Sequence, residues 1–250
     1  VDDFLAVAMR AADAARAAIL PRFAGSFSVE LKPDQSPVTE ADREAEQAIR
    51  TIIGEAFPDH HVLGEELGGS EGSGGLSWLV DPIDGTISFV HRIPLFATLI
   101  ALCRDGQPIV AVVDLPALDR RFHALAGAGA WEGSRRLRVE QGFDPARSLV
   151  CRGNRLQFAH TGRLELYERL DRELALFRSY TDAHGHCLVA SGSAALMIDP
   201  DLRPWDLAAP GLLVREAGGR VLELAEPGLP DKTTVIAGSA EAVAWVERFL

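Results

Sequence analysis

Between Trp78 and Thr86 the chain reads Trp-Leu-Val-Asp-Pro-Ile-Asp-Gly-Thr, and no other stretch of this length restricts the backbone and its chemistry so tightly. Trp78 to Val80 are bulky and apolar, the make-up of a buried strand, and Asp81 begins the turn after it. Pro82 limits that turn. Gly85 permits close backbone approach, and Thr86 can begin a helix whose free N–H groups favour an anion. Asp81 and Asp84 can then face one cation, with the Ile83 carbonyl as an additional oxygen ligand, beside a cradle for phosphate. A lone Asp-Pro or Asp-Gly is usually just a turn, so the weight of this reading depends on which other carboxylates reach the same point.

The patterns on either side predict an α/β (α+β) fold. Asp3 to Leu20 places Phe4, Val7, Ala8, Ala11, Ala15, Ala18 and Ile19 near one helix face, with Pro21 helping to end it. A second helix begins near Thr39, where Thr39 and Asp42 resemble an N-terminal cap and Ala45, Ile49, Ile52, Ile53 and Ala56 form the buried face. His61 to Gly64 reads as a short strand and Glu71 to Gly75 as a flexible connection. Strands follow at Ser77 to Val80, Ala97 to Leu102, Ile109 to Asp114 and Arg121 to Ala124, the middle two as a hairpin. Gly142, Asp144 and Pro145 interrupt the pattern between Glu140 and Arg147, which divides an N-terminal metal-binding subdomain, 1–143, from a C-terminal subdomain, 144–250. The latter alternates helical and extended patterns at Leu164 to Leu170, Ala194 to Ile198, Trp205 to Ala217, Arg220 to Leu224 and Thr233 to Ala237, closed by a helix from Ala240 to Phe249.

Further carboxylates stand at element ends. Glu65 and Glu66 follow the short strand at Val62 and point in opposite directions, while Asp206 follows Trp205 at a helix start. Taken singly, each is more often a solvated group or a cap. Together with Asp81 and Asp84 they would repel one another strongly around one point, and such a set requires a metal.

Composition narrows the partners. With 25 basic and 36 acidic residues the formal charge is −11, which argues against a nucleic-acid backbone or an anionic membrane as partner. A small anionic substrate stays compatible, because a bound cation reverses the potential inside a cleft. Cys103, Cys151 and Cys187 lack any CxxC spacing, and the first twenty residues carry Asp2, Asp3, Arg10, Asp13 and Arg16, unlike a signal peptide; both features fit a cytoplasmic protein. His60 and His61 do not form a helical HExxH pair, and Ser191-Gly192-Ser193 does not make GxSxG. Ala126 to Ala130, Ala-Gly-Ala-Gly-Ala, lacks the strand-to-helix setting of a dinucleotide loop.

Four segments occur in order: SPVTEAD at Ser36 to Asp42, GEE at Gly64 to Glu66, DPIDGT at Asp81 to Thr86, and WDLAAPGLLVREAGG at Trp205 to Gly219. In combination they resemble the inositol monophosphatase superfamily over nearly the whole chain. The resemblance implies a layered α/β/α/β/α sugar-phosphatase fold, a homodimer, two or three Mg²⁺ ions and inhibition by Li⁺. It also implies that Glu65, Asp81, the Ile83 carbonyl, Asp84 and Asp206 are metal ligands. By the same resemblance Asp42 and Thr86, with Glu65, serve catalysis by activating water, and backbone N–H groups of Gly85 and Thr86 hold phosphate.

Within the superfamily, Ile87-Ser88 replaces the common Thr-Asn type pair, and no GTAA-like segment precedes the distal ligand. The stretch from Ser179 to Asp206, with SPVTEADREAE and PLFATLIAL, resembles the histidinol-phosphatase members more closely. That implies hydrolysis of L-histidinol phosphate to L-histidinol and phosphate, with Asp199 meeting the substrate ammonium and Asp182 assisting. The alternatives are an inositol-1-monophosphatase or broader sugar-phosphate phosphatase, and a noncatalytic phosphate-binding relative. Trp205 reads as a packing wedge that positions Asp206.

Overall fold

Alternation along the strands sorts the apolar residues into separate cores, and those cores stack the elements in five layers. The computed structural model describes residues 2–70, 75–226 and 228–250. Helix α1 spans Asp2–Ala24, strands β1 (Val29–Leu31) and β2 (Pro37–Thr39) form a separate hairpin, and α2 spans Glu40–Ala56. Next come β3 (His61–Gly64), β4 (Gly68–Gly69), β5 (Leu76–Asp84), α3 (Thr86–Val90), β6 (Ala97–Arg104), β7 (Gln107–Leu115), β8 (Arg120–Leu125), β9 (Gly129–Glu132) and β10 (Arg135–Arg136). Strands β3 to β10 make one sheet, ordered β10-β9-β8-β7-β6-β5-β3-β4 and parallel only where β3 meets β5.

The chain then enters a second sheet. Its elements are β11 (Val150–Arg152), α4 (Arg155–His160), α5 (Leu164–Glu173), β12 (Phe177–Arg178), α6 (Asp182–Ala190), β13 (Leu196–Leu202), α7 (Pro204–Glu216), β14 (Arg220–Glu226), β15 (Leu229–Gly238) and α8 (Ala240–Glu247), with strand order β12-β11-β13-β15-β14.

Trp78, Val80, Ile100 and Val112 on one face of the first sheet pack against Ala8, Ala11 and Ala15 of α1 and Ile49 and Ile53 of α2. Leu79, Leu99, Ala101 and Val113 on the other face share a core with α6, α7 and the near side of the second sheet, through Cys187, Leu213, Met197 and Val235. The far side of that sheet, Val150, Leu196 and Ile198, is covered by Phe158, Leu170 and Val243 of α4, α5 and α8. The order is therefore α/β/α/β/α, the layering that the resemblance implies. Among the described residues no helix is long and apolar enough to cross a membrane.

Helix α1 does not stop at Pro21. It runs on to Ala24, because Phe23 packs against Phe89 and Phe96, with ring centroids 5.6 and 4.8 Å apart, and Arg92 donates to the carbonyl oxygens of Arg22, Phe23 and Gly25. A guanidinium from another segment thus caps carbonyls that a helix end leaves free. Two strands also differ from expectation. Strand β5 continues through Asp81 to Asp84 with a register shift against β6, and β13 begins at Leu196 and bulges between Asp199 and Leu202. Of the connection expected at Glu71 to Gly75, residues 71–74 lie outside the described residues.

Glu46, on the buried face of α2, is fully enclosed; it pairs with Arg50 at 2.8 Å and accepts the Glu66 N–H at 2.8 Å. Its carboxylate occupies the space a Cβ at Gly64 would need. Gly64→Ala is therefore expected to cost about 1–3 kcal/mol, as overpacking does. Gly54→Ala on the open side of α2, where an added Cβ meets nothing within 4 Å, should gain up to about 1 kcal/mol. Urea denaturation of both variants checks the contrast, and an unchanged midpoint for Gly64→Ala would remove the steric account.

Candidate active site

The parallel pairing of β3 and β5 sets Gly64 opposite Val80, and the Glu65 N–H continues the ladder to the Val80 carbonyl at 3.1 Å. Glu65 therefore leaves β3 beside Asp81 of β5. Helix α7 enters from the second sheet with Pro204 in its first turn and Asp206 at its third position, where Oδ2 accepts the Arg203 N–H at 2.8 Å. Glu65, Asp81 and Asp206 each present a ligand atom, and all three atoms lie within 4.8 Å of one another.

Asp84 and Asp81 sense each other across the bulge, and Asp84 Oδ2 accepts the Ala183 N–H of α6 at 2.7 Å. The Ile83 N–H donates to Asp81 Oδ1 at 3.0 Å, and the Ile83 carbonyl accepts from Thr86 Oγ1 at 3.0 Å. Thr86 Oγ1 also lies 3.4 Å from Asp42 Oδ1. The other Asp42 oxygen closes the α2 cap, taking the Thr39 N–H at 2.8 Å and the Thr39 hydroxyl at 2.6 Å. Gly85 caps the five-residue α3 with φ at 82°, and a Cβ there would lie 3.1 Å from the Leu95 carbonyl oxygen. This position needs glycine for both reasons.

Burial, then repulsion from Glu65, Asp84 and Asp206, holds the Asp81 carboxyl well above its ordinary range. Asp84 is raised well above its range by burial and by Asp182 and Asp206. Asp206 is pushed up to about 7 by burial and Glu65. Burial raises Asp42 as well. Hard oxygen donors, close together and short of positive charge, are the setting a divalent cation completes, so the residues fit Mg²⁺.

Lys32, just after β1, lies 2.8 Å from Glu65 Oε1 and 2.5 Å from Glu66 Oε1. Burial works against its charge, but Glu65 and Glu66 outweigh this and raise its pKa. Glu66 is pushed up to about 7, chiefly by burial, against the pull of Lys32. Both glutamates thus reach the same ammonium instead of pointing in opposite directions, because the strand ends at Gly64 and its alternation does not extend to them; the Glu66 backbone N–H rests on Glu46. Sequence reasoning missed both Lys32 and Glu46, since no spacing ties a lone lysine in a hairpin, or a glutamate in mid-helix, to a distant motif.

The two residues assigned to substrate sit differently. Asp182 is half-buried, and a Cβ at Gly85 would be 3.2 Å from its Oδ2, so it borders the glycine turn. Asp199 is 1% exposed with both oxygens shielded, and His186 Nε2 lies 3.4 Å from its Oδ2. Its charge is felt by Asp84 and Asp206, which puts it beside the carboxylate cluster. Trp205 is partly buried against the central core, as a wedge should be. In Ala126 to Ala130 the N–H groups of Gly127 and Gly129 hold the Glu216 carboxylate, each at 2.8 Å.

The model of the inositol monophosphatase family matches residues 1–248. A histidinol-phosphatase of Mycobacterium tuberculosis is 40% identical over 228 residues, covering 89% of this chain and 88% of that protein. An inositol-1-monophosphatase of Mesorhizobium japonicum is 36% identical over 219 residues, covering 86% and 82%. Among solved structures, the extragenic suppressor protein suhB of Bartonella henselae superimposes with a TM-score of 0.89 at 31% identity, covering 98% of this chain and 97% of that one. With the five-layer fold and the carboxylate cluster in place, the chain belongs to the inositol monophosphatase family.

Proposed function

We propose that the protein is a Mg²⁺-dependent phosphomonoesterase that hydrolyses L-histidinol phosphate to L-histidinol and phosphate. The convergence of Glu65, Asp81 and Asp206, with Asp84 beside the glycine turn, supports the metal-dependent part. The 40% identity to a histidinol-phosphatase, together with the carboxylates Asp182 and Asp199 near the site, supports the substrate. The inositol-1-phosphate reading is the alternative, favoured by the 36% identity to an inositol-1-monophosphatase. Residues 1–143 would supply most ligands and 144–250 would supply Asp206 and the substrate side, in a cytoplasmic homodimer inhibited by Li⁺.

Glu65, Asp81, the Ile83 carbonyl, Asp84 and Asp206 would hold two or three Mg²⁺ ions. Bound Mg²⁺ supplies charge that acidifies the attacking water and stabilises the phosphoryl oxygens and the leaving alkoxide. The N–H groups of Gly85 and Thr86 orient the phosphate. Thr86 positions the water and passes a proton to Asp42 Oδ1, whose raised pKa makes it the better base. The water oxygen bonds to phosphorus as the P–O bond to the ester oxygen breaks, and the departing alkoxide takes a proton from a second water to leave as the alcohol. Asp182 and Asp199 attract the ammonium of the leaving alcohol.

Comparison of kcat/KM on L-histidinol phosphate and inositol-1-phosphate tests the substrate; a large preference for the inositol ester would reverse it. Asp84→Asn should weaken Mg²⁺ binding at least ~10-fold and sharply lower turnover in a folded protein, and unchanged affinity by calorimetry would take Asp84 out of the ligand set. Thr86→Ala should keep Mg²⁺ binding but lower kcat by about 100-fold or more.

The raised pKa of Asp206 and Glu66, each about 7, means that the folded chain keeps protons which the unfolded chain has already released. Without metal, stability should therefore fall as pH rises from about 4, the ordinary carboxylate range, to 7. Mg²⁺ needs the deprotonated groups. Thermal melts in chelator should show a lower Tm at pH 8 than at pH 5.5, and the rise in Tm on adding Mg²⁺ should be larger at pH 8. An equal Mg²⁺ effect at both pH values would contradict the ligand assignment.

A further inference from the structure

His186 and Asp199 are each 1% exposed, and they form a polar contact inside an otherwise apolar layer. Strand alternation turns Asp199 to the same face as Met197, toward α6. Helix α6 comes unusually close there. A Cβ on Gly185 would overlap the Tyr180 carbonyl oxygen and lie 2.7 Å from Met197 Sδ, so the missing side chain lets the helix settle onto β13. The next residue then brings His186 Nε2 to 3.4 Å from Asp199 Oδ2.

One turn earlier on the same helix face stands Asp182, whose φ of 59° starts α6 in the left-handed region. Burial and then Asp199 push the Asp182 carboxyl up to about 6, while Thr181 and His186 draw it down. The imidazole thus serves two carboxylates, and Asp84 and Asp206 face Asp199 from β5 and α7. Among the described residues neither ring nitrogen of His186 and neither oxygen of Asp199 has a hydrogen-bond partner, so each is the polar group that the other faces at 3.4 Å. A buried carboxylate among other carboxylates is costly to leave without a polar neighbour, and the imidazole is the group packed against this one.

We propose that His186 is a positioning residue, which holds the Asp199 carboxylate in place for substrate recognition without touching substrate itself. The proposal rests on the reading of Asp199 as a substrate-recognising group. Phe at 186 keeps a ring but has no donor, whereas the amide nitrogen of Gln reaches nearly as far as Nε2.

The test is steady-state kinetics on L-histidinol phosphate at saturating Mg²⁺ for His186→Phe, His186→Gln, Asp199→Asn and the double variant His186→Phe/Asp199→Asn. His186→Phe should raise KM roughly 10-fold, with a smaller effect on kcat, as removal of the polar group facing a buried carboxylate predicts. His186→Gln should recover most of that loss. In the Asp199→Asn background the Phe substitution should add no more than about 3-fold, because a residue that acts through another is not additive with it. Fully additive losses, or a Gln variant as poor as Phe with the defect in kcat, would overturn the proposal. Should the Phe variant be unfolded by circular dichroism, His186→Met takes its place in the cycle. If the wild type prefers inositol-1-phosphate, the substrate reading fails, yet the same cycle on that ester still decides whether His186 acts through Asp199.

Discussion

Repulsion among buried carboxylates is the constraint around which this structure is organised. Glu65, Asp81 and Asp206 converge within 4.8 Å, with Asp84 alongside, and burial raises the cost of every charge added there. Such a group stays together because the backbone holds it. Asp42, Asp81, Asp84 and Asp206 each commit one oxygen to a backbone N–H, of Thr39, Ile83, Ala183 and Arg203 respectively. Those bonds fix the direction of each side chain and leave its other oxygen to the site. Capping and a place at the site are therefore not rival readings of Asp42 or Asp206, since one oxygen closes the cap and the other is left free to face Thr86 or the carboxylate cluster.

The same economy runs through α2. Asp42 and Glu46, one turn apart, continue the apolar stripe of Ala45, Ile49 and Ile53 with two buried acids. The first reaches Thr86, and the second receives the N–H groups of Glu66 and Leu67 while Arg50 neutralises it. Arg50 reaches on to the carbonyl oxygen of Gly68. Helix α2 thus serves the core through its buried face and also anchors both ends of the acidic loop that carries Glu65, since Arg50 reaches the carbonyl oxygens of Val62 and Gly68. Gly64 is small because Glu46 is there.

Much of this was legible from sequence because it is local. Asp81, Pro82, Asp84 and Gly85 declare a turn with oxygen ligands within a few residues, and the Thr39 and Asp42 cap spans three. What was not legible depends on partners far apart in the chain. Arg92 carries helix α1 past Pro21 from about seventy residues away, as the separations of 67 and 70 in its bonds to Gly25 and Arg22 show. Lys32 pairs with glutamates 33 and 34 residues on. Strand β5 outran its expected end because pairing with β6 resumes after the bulge, at Asp84 and Ala97. The resemblance assigns Asp199 to substrate, but nothing in the motif shows that a histidine of α6 lies against it.

Backbone strain follows the same geometry. Asp182 and Asp201 have φ of 59° and 72°, a region that costs a non-glycine residue roughly 1–2 kcal/mol and that aspartate tolerates better than most. Asp182 starts α6, and its conformation points the Ala183 N–H at Asp84. Asp201 sits in the bulge of β13, where its carboxylate lies 3.0 Å from Lys232 Nζ; Lys232 in turn draws down the pKa of Asp206. Relaxing either residue would release a charge-balancing contact at the carboxylate cluster. Both strained residues thus hold contacts to the cluster, one a backbone N–H at Asp84 and the other a lysine near Asp206, and this ties the shape of the second sheet to the charge held by the first.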